Sequence, residues 1–394
     1  MFSTLRPSAP DPIFALAAAY RDDARATKLD LGVGVYRDAA GGTPIPRAVK
    51  RAEAQLLAGQ ETKSYLGFLG DIGFTAAMAD LVLGGAAPAS RIAAIQTPGG
   101  GGALWILLAL AKKAAPDATV WLSTPTWPNH GAIAEFAGLK TRAYRYFDPE
   151  TRDVNAAAMR DDLKEAGPGD IVLLHGCCHN PTGANLTMED WAALTEMALA
   201  QGFTPMVDIA YQGFGDGLAE DAAGLRHMAA RVPEMLVAAS CSKNFALYRD
   251  RTGAAFALCA SEGEAAAARA NLMTLMRVSI SMPPDHGAAT VRMILTDPLL
   301  RAEWEAELGD MRGRMLALRA ALAEALRART NSPRFDFIAR HRGMFSLLGA
   351  TPEQVARLRE EHGIYIIGDS RMNVAGLKED RIGEVADAFA AVGM

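Results

Sequence analysis

The sequence predicts an α/β protein: a large domain with a mainly parallel sheet covered by helices, joined to a smaller α/β domain. Three observations predict it. Between residues 96 and 258, short apolar runs of strand length alternate with helical patterns, and that alternation implies parallel strands with helices on both faces. Each apolar run ends in a small polar cluster, and open sheets of this kind bind ligands beyond the carboxyl ends of their strands. The chain of 394 residues is also too long for one simple core.

Taken in order, Met1 to Pro12 is rich in proline and small residues and reads as an extended arm that needs a partner surface to order it. Ile13 to Ala24 has helical periodicity. Leu29 to Tyr36 (LDLGVGVY) reads as a strand interrupted by Gly32 and Gly34, where glycine marks a bulge or a close backbone approach. Pro44 and Pro46 break the chain before a helix, Arg47 to Leu57. The first boundary is placed there, so that 1–45 holds the arm and part of the small domain, 46–305 the large domain and 306–394 the rest of the small one.

Ser64 to Gly70 (SYLGFLG) is a glycine-bracketed loop carrying Tyr65. Gln96 to Leu104 (QTPGGGGAL) runs from a strand-like segment into a helix, Ala103 to Ala114. Glycines before a helix leave bare N–H groups at its positive end, which is an anion site. Their spacing satisfies neither the dinucleotide-binding nor the P-loop pattern. Ala118 to Ser123 is a strand, after which Pro125 and Pro128 hold Trp127 in a rigid turn, either in the core or stacked on a flat ring. Asp170 to His175 is an apolar strand leading to His179, Asn180 and Pro181, and an Asn before Pro can present its amide. A helix, Thr187 to Ala200, follows. Thr204 to Val207 is a buried strand ending in Asp208, with Tyr211 close behind; a carboxylate there is costly unless paired with a cation.

Leu236 to Ala239, a further buried strand, runs into Ser240, Cys241, Ser242 and Lys243, with Arg251 in the turn before another strand, Gly253 to Leu258. An amine, two hydroxyls and a guanidinium in one short loop suit a phosphorylated aldehyde. Beyond this, Glu262 to Arg277 is helical, Pro283 and Pro284 turn the chain, and a long helical pattern spans Pro298 to Arg329. Phe335 to Ile338 and Gly343 to Leu348 read as strands, Pro352 to His362 as a helix and Ile364 to Ile367 as a strand. Arg371 stands at a strand edge, and a last helix covers Asp380 to Val392.

Composition narrows the function. A formal net charge of −5 with 22% charged residues offers no basic footprint for nucleic acid. The four cysteines, two of them adjacent at Cys177 and Cys178, show no metal-ligand spacing, so no metal is expected and the thiols read as reduced and mostly buried. With no signal-peptide core and no uncharged stretch of about 18 residues, no membrane association is expected and the location reads as cytoplasmic.

The motifs DLGVGVYRD, SYLG, TPGGGGAL, TWPNH, HGCCHNPTG, VDIAYQGF, SCSKNF with Arg251, MPPDHGA, GMFS and RMNVAGL cover nearly the whole chain in order. Together they resemble the class I, fold type I pyridoxal-phosphate aminotransferases of the aspartate and aromatic amino acid subgroup, most of all the bacterial aromatic amino acid enzymes. The resemblance implies pyridoxal 5′-phosphate as cofactor and a homodimer with shared active sites. It implies that Lys243 holds the cofactor covalently and moves the proton, that Asp208 pairs with the pyridine nitrogen, and that Asn180 and Tyr211 donate to the ring oxygen while Trp127 stacks on the ring. Gly100, Gly101, Ser240, Ser242, Arg251 and a partner's Tyr65 would hold the phosphate. Arg371 would take the substrate α-carboxylate and Arg277 a distal carboxylate, with Gly34, Trp127, Asn180 and Phe345 also lining the substrate.

Two departures bear on specificity: Gly101 stands where many members have a threonine, and Met282 where aspartate-preferring members have an asparagine. The less polar lining favours aromatic amino acids (Phe, Tyr, Trp), with Asp and Glu also handled and 2-oxoglutarate as acceptor in a ping-pong reaction. An aspartate aminotransferase with aromatic side activity is the alternative. A cofactor-binding regulatory module on the same fold would need a nucleic-acid-binding extension, and no basic extension is present.

Overall fold

The computed structural model describes residues 2–7 and 11–394. The chain divides into two compact units, Met1–Thr43 with Met315–Met394, and Pro44–Arg314. Of the expected N-terminal arm, Met1 and residues 8–10 lie outside the described residues, and Phe2–Thr4 form one exposed 3-10 turn. The first helix, Pro12–Asp22, is started by Asp11, whose carboxylate accepts from the N–H groups of Ile13 and Phe14, and by proline in its first turn.

The larger unit is built on a seven-stranded sheet: β1 (Ile92–Pro98), β2 (Thr119–Thr124), β3 (Lys140–Arg145), β4 (Ile171–His175), β5 (Thr204–Ile209), β6 (Met235–Ser240) and β7 (Thr252–Leu258). Their order is β1-β7-β6-β5-β4-β2-β3, with β7 antiparallel to both neighbours and every other pairing parallel. The central strands are mostly apolar up to their polar tips because both faces are covered. Ile95, Val120, Leu173, Met206, Ala238 and Ala255 bury one face in a cluster with Leu104, Leu107 and Leu108 of the helix Gly99–Ala114.

Elements of this unit beyond those expected from the sequence include an edge strand and a helix. β3 is an edge strand that reads KTRAYR and buries only Tyr144 of its six residues, so charge conceals it. The helix Asp285–Thr296 follows Pro283 and Pro284 and buries Ala288, Val291, Ile294 and Leu295. The glycine run is also not the loop expected: the helix begins at Gly99, so all four glycines form its first turn.

In the smaller unit, only Leu29–Asp30 of the expected strand Leu29 to Tyr36 is regular, pairing in parallel with Ile364–Tyr365. The Asp30 carboxylate accepts from the N–H groups of Gly32 and Val33 and bonds Arg37, which turns the chain out of the strand. Phe335 to Ile338 is likewise not a strand but a 3-10 turn, Pro333–Phe335, and a short helix, Phe337–Arg340. Phe335, Phe337 and Ile338 are all buried against Leu318, Leu322 and Phe389, a burial that so short a run satisfies with either period. Phe345–Leu347 pairs antiparallel with Arg371–Asn373.

Candidate active site

Parallel register brings the polar tips of the larger unit to one edge of the sheet. His175 lies opposite Asp208, and Asp208 opposite Ala238, two residues before Ser240 and five before Lys243. Because β7 runs the other way, its first residue, Thr252, and the preceding Arg251 reach the same edge, where Thr252 pairs with Pro98 just before the glycine helix.

Four features make one corner of this edge an anion cradle. Gly99–Ala114 presents its positive end there. Arg251, at a left-handed φ of 52°, lies against Gly99, where a Cβ would stand 2.5 Å from its Nη2. Its Nη1 donates to the Ser242 hydroxyl at 3.3 Å, and Ser240 Oγ accepts from the Ser242 N–H at 3.2 Å. Gly253 lets the strand come so near the helix that a Cβ would sit 2.6 Å from the Gly99 carbonyl carbon. A Cβ on Gly100 would press on Ser240 at 3.0 Å, whereas one on Gly101 would meet nothing within 4 Å, so the space beside Gly101 is open.

Lys243 emerges from the turn after β6 and is partly buried, its Nζ 5.3 Å from the centroid of the buried Tyr211 ring. Asn180 is buried in the turn after β4. Asp208 accepts from a partner the sequence reading did not single out, His130, at 3.0 Å. His130 Nδ1 meets Thr126 Oγ1 at 2.8 Å, and that hydroxyl meets His175 Nε2 at 3.0 Å. Burial, and then the neighbouring His130, push the pKa of His175 down to about 3, so its ring is neutral at pH 7. Trp127 stands edge-on to His130, with centroids 5.3 Å apart. The sequence holds seven histidines, and only contact shows which of them serves Asp208.

Tyr65 and Arg277 form a separate group. Tyr65 is 90% exposed on its loop, whose Leu66 N–H reaches the Met282 sulfur at 3.1 Å. Arg277 donates to Ser281 Oγ at 2.6 Å and lies over the Phe68 ring at 5.4 Å. In the smaller unit, the Arg371 guanidinium covers the Phe345 ring at 4.5 Å, and a Cβ on Gly34 would come within 2.9 Å of that ring. Asn373 ties this group to the 29–36 segment by donating to the carbonyls of Val33 and Val35.

An amine beside an aromatic ring, a hydrogen-bonded carboxylate and a glycine, serine and arginine cradle are the donor set for a phosphorylated pyridine aldehyde, and the space beside Gly101 at the start of the helix is open. This defines a pyridoxal-phosphate-dependent transferase. Over residues 26–389 the chain matches aminotransferase class I and II, and it belongs to that family. It is 53% identical over 394 residues to an aromatic-amino-acid aminotransferase of Paracoccus denitrificans, covering 100% of both chains. The structure of an aromatic amino acid aminotransferase with 3-indolebutyric acid superposes with a TM-score of 0.98 at 53% identity, covering 100% of both chains. An aromatic-amino-acid aminotransferase of Burkholderia pseudomallei covalently bound to pyridoxal phosphate gives 0.97 at 42% identity, covering 100% of this chain and 99% of that one. The four cysteines are buried and form no disulfide, and no helix among the described residues is long and apolar enough to cross a membrane.

Proposed function

We propose that this aminotransferase moves the amino group of aromatic amino acids to 2-oxoglutarate in a ping-pong reaction, as a cytoplasmic homodimer with shared sites. The observation that carries the reading is the common sheet edge holding Lys243, the Asp208–His130 pair and the anion cradle. When bound, pyridoxal phosphate supplies the aldehyde that takes the amino group and the ring that draws electrons from the substrate Cα. Lys243 moves the proton at Cα. Asp208, oriented by His130, keeps a proton on the pyridine nitrogen. Asn180 and Tyr211 donate to the ring oxygen and Trp127 covers the ring. Gly100, Gly101, Ser240, Ser242 and Arg251, with Tyr65 of the second copy, hold the phosphate. Arg371 receives the α-carboxylate as a bidentate pair, beside Gly34 and Phe345.

The aromatic preference draws support from Arg277. Its guanidinium rests on the Phe68 ring and bonds Ser281, contacts that a dicarboxylate must draw it away from while an aromatic side chain need not. The dimer draws support from Phe136 and Ile280, apolar and exposed, on a cleft of about 380 Å³ lined also by Trp105, Ile106 and Met276. A substrate panel with 2-oxoglutarate as acceptor tests the reading: kcat/KM for phenylalanine and tyrosine equals or exceeds that for aspartate. Activity confined to dicarboxylates makes the protein an aspartate aminotransferase instead.

A further inference from the structure

Arg319, on the helix Pro298–Thr330, is completely buried in the smaller unit. Its guanidinium donates to the carbonyls of Ile338 (3.0 Å), Arg342 (3.2 Å), Gly343 (2.8 and 3.1 Å) and Phe345 (2.5 Å), and to Ser346 Oγ (2.8 Å). A planar fork of N–H groups fixes these acceptors relative to one another, which a point-charge ammonium cannot do. All of them belong to residues 338–346, a stretch whose only strand begins at Phe345.

That strand is the floor under Arg371. Leu347 pairs with Arg371 and Phe345 with Asn373, so a displacement of one strand displaces the other. The Phe345 ring is wedged between the Arg371 guanidinium, 4.5 Å away, and Gly34, which has no room for a Cβ. Arg371 Nη2 also reaches the Gly32 carbonyl at 3.4 Å. Holding Phe345 therefore holds the arginine above it.

We propose that Arg319 is a positioning residue for carboxylate recognition: through the Phe345 backbone and ring it sets the orientation in which Arg371 meets the α-carboxylate of amino and oxo acids. The inference rests on the reading of Arg371 as the carboxylate-binding arginine. Since every substrate carries that carboxylate, losing the alignment raises KM for amino donor and oxo acceptor alike and leaves kcat nearly unchanged.

The test is titration of the holoenzyme with 3-phenylpropionate, followed by the cofactor absorbance, in wild type, Arg319→Lys, Phe345→Leu, the double variant and Arg371→Leu. Arg319→Lys is expected to raise Kd about tenfold with the unliganded spectrum retained. Phe345→Leu acts in the same direction, and the double variant falls short of the product of the two single effects, because both act through one contact. If Arg371→Leu binds like wild type, the reading of Arg371 falls. If Arg371→Leu binds weakly while Arg319→Lys binds like wild type, or the double variant is multiplicative, the role of Arg319 falls and that of Arg371 stands. Should Arg319→Lys fail to fold, Ser346→Ala removes one acceptor: a Kd raised about two- to threefold supports the proposal, and an unchanged Kd overturns it.

Discussion

The sheet edge around Lys243 and the cradle around Arg371 both gather residues from distant parts of the chain, but by different means. In the larger unit each side chain follows a strand, and parallel pairing alone aligns His175, Asp208 and Ala238. In the smaller unit the strands beside Arg371 are three residues long, and side chains do the aligning: Arg319 to residues 338–346, Asn373 to Val33 and Val35, Asp30 to Gly32 and Val33. A site built on sheet register is defended by a whole core. One built on side-chain bonds is exposed to single substitutions.

The largest expected effect breaks the chemistry without touching the sheet. Lys243→Ala should lower steady-state transamination by about 10⁴-fold or more while the thermal transition stays close to wild type. Appreciable turnover in that variant refutes its assignment. Gly253→Ala strikes the register itself, since the added carbon would stand 2.6 Å from Gly99 and 2.7 Å from the Ala239 carbonyl oxygen. A loss of about 3 kcal/mol in chemical denaturation and weaker retention of pyridoxal phosphate are expected. Unchanged stability would show that strand and helix can separate freely.

For the side-chain-built region, Asn373→Ala leaves the carbonyls of Val33 and Val35 without their donor and uncaps the Ala375 N–H. The expected cost is about 2–3 kcal/mol, measured by denaturant titration, with KM for every substrate raised. A variant as stable as wild type would place the organisation of the 29–36 segment elsewhere.

Acid should act on the larger unit through His175. Its pKa of about 3 lies below the value of about 6.5 in an unfolded chain, so the unfolded state binds the extra proton between those values. The stability it contributes is complete above about pH 6.5 and declines as the pH falls toward 3, by up to about 1.4 kcal/mol per unit. Unfolding free energies from pH 7 to 4.5 should therefore fall less steeply in His175→Asn than in wild type. Parallel curves would assign the acid sensitivity to other groups. The smallest effect is on specificity: Phe68→Leu removes the ring beneath Arg277 and should shift the phenylalanine-to-aspartate ratio of kcat/KM toward aspartate by about two- to fivefold. An unmoved ratio would separate Phe68 from substrate choice.

Legibility followed the same division. Lys243, Asp208 and Asn180 stand where an apolar run ends, and that pattern is local. His130 was not legible, because its helix, Asn129–Phe136, meets Asp208 across 78 residues of chain. Arg319 sits in a long Arg-, Glu- and Ala-rich helix where nothing in the pattern separates a buried guanidinium from a solvated one. The 29–36 segment misled for a related reason: its residues favour a strand, and the Asp30 carboxylate bonding to Gly32 and Val33 ends it after two residues.

By itself the sequence determined the α/β class, the strand tips that carry the amine, the carboxylate and the glycine helix, and the burial of the four cysteines, because each depends on the polarity of neighbours within a few positions. Only the tertiary structure decided that His130 holds Asp208, that Arg251 lies on Gly99, that Arg277 rests on Phe68 and that Arg319 supports the floor beneath Arg371. Those are contacts between residues far apart in the chain, where distance and direction count and local pattern carries no information about either.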